Sequence, residues 1–276
     1  MGRAKILIST DTLRSLYIDK KWTPKRIGAR FHCDAITVRT RLKEAGITLK
    51  TKSAAQTHYF KKDFTGSDAE RAYMLGFRYG DLNVYRPQVT SEIFVVRCHS
   101  THLAQEIVFK RIFGRYGKIT FSRNARSTHM SCYVNSSFAF LLEKYNSRER
   151  NWLSVSDVRM LAFIAGYIDA EGTFGLNQVR GRFKIDAYDL AILKDIHEFL
   201  IRNTIRSKFR MILGKGVTKW GQPWRADLWR LEVNEAQSLE KLIHAILPYC
   251  IHSKRVKDAR IVLNNIKHRR LHGTIK

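Results

Sequence analysis

Between residues 11 and 47 the apolar positions recur at helical spacing and are interrupted twice. Leu13, Leu16 and Tyr17 share one face of a first short helix. Thr23-Pro24, a capping hydroxyl followed by proline at the first helical position, opens a second helix that runs through Ile27 to about Phe31. Asp34 caps a third, with Val38, Leu42 and Ala45 inward and Gly46 as its stop. The outward face of that third helix carries Thr37, Arg39, Thr40, Arg41 and Lys43. A short helix, a tight turn and a second helix with a polar, basic face is the helix-turn-helix arrangement, and Thr and Arg suit base edges and phosphates in a major groove. Residues 1–50 are therefore expected to form a small all-α DNA-binding domain.

The following stretch, TLKTKSAAQTHYFKKDFTGSD at 48–68, is polar and basic with little periodicity. It predicts a basic linker over 51–68 that tracks a phosphate backbone, with Ser67 or Asp68 capping the next helix.

Beyond it the pattern repeats after about ninety residues. One copy opens with AYMLGFRYGD at 72–81, the other with LAFIAGYIDAEGTF at 161–174. After the first come extended stretches near 83–86 and 93–99, a helix over 101–113, strands near 118–122 and 129–135, and a helix over 137–145. After the second come strands over 173–179 and 182–188, a helix over 190–201, strands near 205–213 and 224–233, and a helix over 236–247. Each copy thus reads helix–hairpin–helix–hairpin–helix, with repeat bounds 69–150 and 151–276. Alternation in the second copy puts Arg182, Lys184 and Asp186 opposite Phe183, Ile185 and Ala187, and Arg206, Lys208 and Arg210 opposite Ile205, Phe209 and Met211. Helices cover the apolar faces. The exposed faces become sheets of nearly one sign, extended by Arg180 and Arg230, with Arg86, Arg97, Lys118 and Arg123 in comparable places of the first copy. The expected fold class is α+β: two pseudo-symmetric αββαββα repeats forming a saddle of antiparallel sheets, plus the small helical domain.

Charge sharpens the picture. The 276 residues hold 50 Lys and Arg against 24 Asp and Glu, a formal net charge of +26 spread along the chain. Such an excess strains a compact fold, and a polyanion relieves it. Nucleic acid is favoured over a membrane surface because no long basic amphipathic helix is present. Cys33, Cys98, Cys132 and Cys250 include no C-x-x-C pair, which argues against zinc and for reduced thiols. No apolar run is long enough for a bilayer, and the N-terminus lacks a signal-peptide core. The expected location is the cytoplasm, associated with the nucleoid, with an organelle left open.

The chemistry lies where the repeats begin. Gly76 and Gly80 are four apart, as are Gly166 and Ala170, so two helices can approach closely. Asp81 and Glu171 follow at the helix ends, where the dipole already disfavours acids. Bringing both ends together is unfavourable without cations, and hard divalent ions with oxygen ligands are the natural solution. Divalent ions between carboxylates and a scissile phosphate make a phosphodiesterase centre.

IAGYIDAEG at 164–172, paired with MLGFRYGDL at 74–82, resembles the LAGLIDADG homing endonucleases in their single-chain, two-repeat form. The resemblance covers about 70–270. It implies a monomer that cuts double-stranded DNA at a long, asymmetric site, with two or three Mg²⁺ ions between the carboxylates and the scissile phosphates. Asp81 and Glu171 would be the catalytic acids and metal ligands, with Gly80 and Ala170 completing the metal site. Lys184 matches a basic residue the family places beside the metals. PYCIHSKRVKDA at 248–259 resembles the family's Pro-Tyr…Lys segment, with Lys254 as the matching cation. Lys184 and Lys254 could instead be phosphate contacts. In the first copy the strand matching Lys184 offers Val95 or Val96, with Arg97 next to them. Tyr79, Arg78 and Leu82 depart from the family's acid, aliphatic residue and glycine. A non-cutting binder of the same fold (an intron maturase or a repressor) and a helix-turn-helix transcription regulator are the competing readings.

Overall fold

A computed structural model describes residues 8–49, 61–217, 223–224 and 226–275. Residues 50–60, most of the predicted linker, lie outside the described residues. The chain divides into two compact units, Met1–Phe60 and Lys61–Lys276.

In the first unit, α1 (Thr10–Arg14) runs into a π-helical turn, Ser15–Asp19, followed by α2 (Pro24–Arg30) and α3 (Ala35–Glu44). Each α-helix starts where a side chain can accept an orphan N–H: Ser9 from Thr12, Thr23 from Arg26, and Asp34 from Thr37 at 2.6 Å. Leu13, Leu16, Tyr17, Ile27, Val38, Leu42 and Ile47 form its core. A Cβ at Gly28 would lie 2.4 Å from the Cys33 carbonyl oxygen, so only glycine lets the α2–α3 turn fold back so tightly.

The second unit contains two matching halves. The first is α4 (Asp68–Asp81), β1 (Leu82–Tyr85), β2 (Phe94–Ser100), α5 (Leu103–Phe113), β3 (Ile119–Arg123), β4 (Thr128–Val134) and a 3₁₀ turn, Ser136–Leu141. After α6 (Ser147–Ser154) the second runs α7 (Asp157–Glu171), β5 (Gly172–Asn177), β6 (Arg180–Ala187), α8 (Leu190–Arg202) and β7 (Lys208–Leu213). A two-residue ribbon, β8 (Gly216–Val217) with β9 (Pro223–Trp224), precedes β10 (Leu228–Val233), α9 (Ala236–Ile246) and α10 (Ser253–Leu271). The sheet order β1-β2-β4-β3 is reproduced as β5-β6-β10-β7, antiparallel throughout. The two antiparallel sheets with helices against their apolar faces are the α+β architecture expected. Among the described residues no helix is long and apolar enough to cross a membrane.

α4 begins with a capping box in which Ser67 and Glu70 satisfy each other's backbone N–H. Residues 61–64, read from sequence as linker, are docked on the first half. Lys61 bridges to Gly117, Lys62 N–H donates to the Tyr116 carbonyl at 2.8 Å, and Phe64 packs on Tyr116, Phe138 and Phe140. The helix expected over 137–145 is instead the short 3₁₀ turn. Phe138 and Leu141, three apart, are its buried residues, which suits three residues per turn. Helix α6 and the long α10 are not announced by periodicity. The strand expected from residue 205 starts at Lys208. Arg206 therefore lies off the sheet, paired with Glu235 at 3.1 Å.

Candidate functional site

The two motif helices pack backbone to backbone. A Cβ at Gly76 would lie 2.0 Å from the Phe163 carbonyl oxygen, and one at Gly166 would lie 2.1 Å from that of Tyr73. These reciprocal contacts, offset by about ninety residues, define a near-twofold relation between the halves. Gly80 and Ala170 touch next along the helices: a Cβ at Gly80 would be 2.3 Å from that of Ala170, and 3.6 Å from Glu171 Oε1. The Glu171 carboxylate thus lies against the residue that precedes Asp81.

Both acids are pushed toward neutrality. Burial raises Asp81 to about 6, against the opposing pull of the Gln105 amide and the Arg255 charge. Burial, then the charges of Asp81 and Asp189, raise Glu171 to about 7, again opposed by Arg255. Gln105, a buried residue of α5, donates its Nε2 to Asp81 Oδ2. Asp189, just before α8, accepts the Tyr167 hydroxyl at 3.4 Å and does not cap its helix. Two carboxylates whose ionisation burial opposes, with a third bearing on one of them, are donors suited to a hard divalent cation. Among the described residues no group of three or more His, Cys, Asp or Glu could hold a metal ion.

These shifts make stability depend on pH. At pH 6 the Glu171 carboxyl keeps its proton in the folded chain and has lost it in the unfolded one, whose value is near 4.5. The stability of the metal-free protein should therefore fall as pH rises from about 4 to about 7. An Asp81→Asn/Glu171→Gln variant should show a shallower fall, as read by denaturant unfolding with chelator.

The basic residues sort into three groups. Lys184 pairs with Thr173 across β5–β6, two residues past Glu171, and its Nζ is 2.9 Å from Asp186 Oδ2. In the first half the register gives the same position, opposite Asn83, to Arg97 and not to Val95 or Val96, which are buried. Arg97 lies over the Tyr85 ring at 4.9 Å. Lys254 is 53% exposed and pairs with Asp258 at 2.7 Å along α10. Its neighbour Arg255 is the cation whose charge reaches both motif acids, a role that residue spacing alone does not separate from that of Lys254.

The exposed face of the second sheet is less uniform than expected. Glu232, on β10, faces Lys184 and Lys208 from its two neighbouring strands, and Arg230 stands between Asp186 and Arg210. Arg230 grips Asp186 at 2.6 and 2.7 Å, and Arg210 lies 3.9 Å from Glu232. Arg180 is at the exposed hairpin end and Arg182 is half-buried beside it. The cations still outnumber the acids, and the ion pairs preset their poses. In the first half, Arg123 is tied to the buried Glu106 at 2.8 Å, Arg86 donates to the Val89 carbonyl, and Lys118 is exposed before β3. On α3, Arg39, Thr40 and Lys43 are exposed, Thr37 is half-buried, and Arg41 pairs with Glu44 at 2.7 Å. Ile36, 70% exposed on the same helix, is not singled out by the sequence pattern.

The departures of the first motif have local reasons. Leu82 leaves α4 at φ −102°, and Gly172 leaves α7 at φ −74°, so neither exit demands glycine by conformation. Gly172 is needed for room, since a Cβ there would lie 2.7 Å from Ile168. Arg78 donates to the Leu82 and Leu141 carbonyls, closing the helix end that it replaces an aliphatic residue to reach.

No family model matches the chain, and no curated protein matches it. Among solved structures the chain is similar to variants of the homing endonuclease I-DmoI, with 18% identity over 66% of this chain and 96% of that one, TM-score 0.46. I-DmoI in complex with DNA and Ca is similar at 18% identity over 65% and 90%, TM-score 0.45. The N-terminal LAGLIDADG domain of DUF199/WhiA is similar at 12% identity over 66% and 84%, TM-score 0.46.

Proposed function

We propose that this protein is a divalent-metal-dependent DNA endonuclease that makes a double-strand break at a long, asymmetric site, with Mg²⁺ as the working ion. One observation carries the reading. The ends of two motif helices are packed so closely that the Glu171 carboxylate lies against Gly80, beside Asp81, and both acids are raised by burial. Held by Asp81 and Glu171, with Gly80 and Ala170 alongside, Mg²⁺ would supply the Lewis acid that polarises a scissile phosphate and makes water nucleophilic at neutral pH. Gln105 orients the Asp81 carboxylate toward that role. Lys184 and Arg97, at matching places in the two halves, neutralise phosphates on either side, and Arg182, Lys208, Arg210 and Arg230 grip the backbone beyond. With both halves in one chain, a monomer suffices.

The test is to incubate the protein with its host locus, lacking any insertion, and Mg²⁺. Linear, doubly cut product is expected. Specific binding without cleavage would overturn the reading in favour of a maturase-like or repressor-like binder, which the altered first motif (Tyr79, Leu82) also suits. The first unit is proposed to add DNA contacts through Arg39, Thr40 and Lys43. Deleting residues 1–60 should shorten the footprint and leave the cut position unchanged. The slope of log affinity against log salt should become shallower by about 0.9 for each phosphate that the first unit neutralises. A moved cut, seen by end-labelled mapping, would contradict that assignment.

A further inference from the structure

Hairpins β1–β2 and β5–β6 hold matching places in the two sheets, but they are closed differently. The first is closed by residues 86–93. In the second, Asn177 pairs with Arg180, so Gln178 and Val179 alone form the turn. Both have positive φ, 47° and 60°. That is the two-residue turn whose twist matches a hairpin, and Asn-Gly fills it with least strain. Here neither residue is glycine or asparagine, and valine, branched at Cβ, is poorly suited to a positive φ. Val179 is also 76% exposed, so burial of its own side chain does not offset the strain.

The support comes from α10. Asn265, on that helix, donates its Nδ2 to the Val179 carbonyl at 3.0 Å. Among the described residues its Oδ1 is buried without a hydrogen-bond partner, so the amide stands there for its N–H alone. Val262, on the same helix, fills the space beside Gly181: a Cβ at Gly181 would lie 2.8 Å from Val262 Cγ1. Gly181 is buried on the covered face, between exposed Arg180 and half-buried Arg182. A one-residue slip of the hairpin would bring an arginine onto Val262. Helix α10 therefore selects both the turn and the register.

Arg180 and Arg182 differ from other cations of this sheet face. Lys184 and Arg230 are held by Asp186, and Arg210 lies near Glu232. Among the described residues neither Arg180 nor Arg182 has an acid partner, so the backbone alone sets where they stand. We infer that Asn265 is a positioning residue: from α10 it locks the turn and register of β5–β6, and so presents Arg180 and Arg182 to a DNA backbone in one preset pose. The inference rests on the DNA-binding reading of the sheet faces. A preset hairpin has little ordering left to do on binding, whereas a loosened one lowers affinity by the fraction of molecules in the competent pose.

The test is fluorescence anisotropy of an end-labelled duplex of the insertion-free host locus, titrated with full-length protein in chelator. Asn265→Ala should weaken binding about fivefold, because one hydrogen bond that favours the competent turn is gone. Asn265→Leu, which keeps the bulk and cannot donate, should do the same. Adding Gln178→Asn and Val179→Gly, which make the turn stable by itself, should bring either variant back to within about twofold of wild type. In an Arg180→Ala/Arg182→Ala background, Asn265→Ala should have no further effect. A merely structural asparagine would lower the unfolding midpoint and leave the affinity of the folded protein unchanged; that result would overturn the inference alone. Weakened binding that the new turn does not restore, or that persists in the Arg180→Ala/Arg182→Ala background, would overturn it too. Absence of DNA binding by the wild type would overturn the DNA-binding reading and this inference with it.

Discussion

Glu171→Gln should lower double-strand cleavage at least about a thousandfold while DNA binding survives, because the change removes the charge and keeps the shape. The glutamine amide fills the space against Gly80 and Ala170, so the helix packing is preserved. What it cannot do is serve as an anionic ligand. Asp81→Asn should have an effect of the same order, since the two acids occupy matching ends of the paired helices. DNA affinity measured without metal should stay equal or rise, as a negative charge facing the phosphates has been removed. Retained cleavage in Glu171→Gln would show that the reaction does not depend on this carboxylate.

The second large effect concerns the interface that brings the acids together. Gly166→Ala should destabilise the second unit by about 3 kcal/mol and lose cleavage with it. The new methyl would lie 2.1 Å from the Tyr73 carbonyl oxygen and 3.0 Å from the Phe77 nitrogen. Backbone atoms on a packed helix cannot rotate away, so the helices must separate, loosening Tyr73, Phe77, Phe163 and Tyr167 together. Gly76→Ala should behave alike, its methyl 2.0 Å from the Phe163 carbonyl oxygen. Gly175→Ala is the control: nothing lies within 4 Å of its Cβ position, and its stability should be near wild type. Urea unfolding of the three variants checks this. A Gly166→Ala protein as stable as Gly175→Ala would refute the backbone-to-backbone packing.

Much of this architecture is legible in residue spacing. The four-residue interval of small residues and the acid after it are local signals, and they recur at matching offsets, so the pairing of Asp81 with Glu171 can be argued from the chain alone. Period-two alternation likewise places Phe183, Ile185 and Ala187 on the covered face. What escapes depends on contacts between distant segments. Asp169 reads as one more motif acid until the N–H groups of Ile251 and His252 arrive from 82 and 83 residues away. Gln105 sits in a helix where a polar residue reads as solvent-facing, and only the fold turns it onto Asp81. The choice between Lys254 and Arg255 depends on the phase of α10, which neighbouring basic residues do not reveal. Glu232 opposes Lys184 only once strand register is known, so from sequence the second sheet looks more uniformly cationic than it is. The 3₁₀ turn escapes because six residues carry too short a period to separate three per turn from 3.6.

The most direct test of the central claim is anomalous diffraction from crystals of the protein bound to its DNA site with Mn²⁺. Anomalous density is expected between Asp81 and Glu171, with each carboxylate in coordination range. Density confined to one carboxylate, or located away from the joint ends of the motif helices, would contradict it.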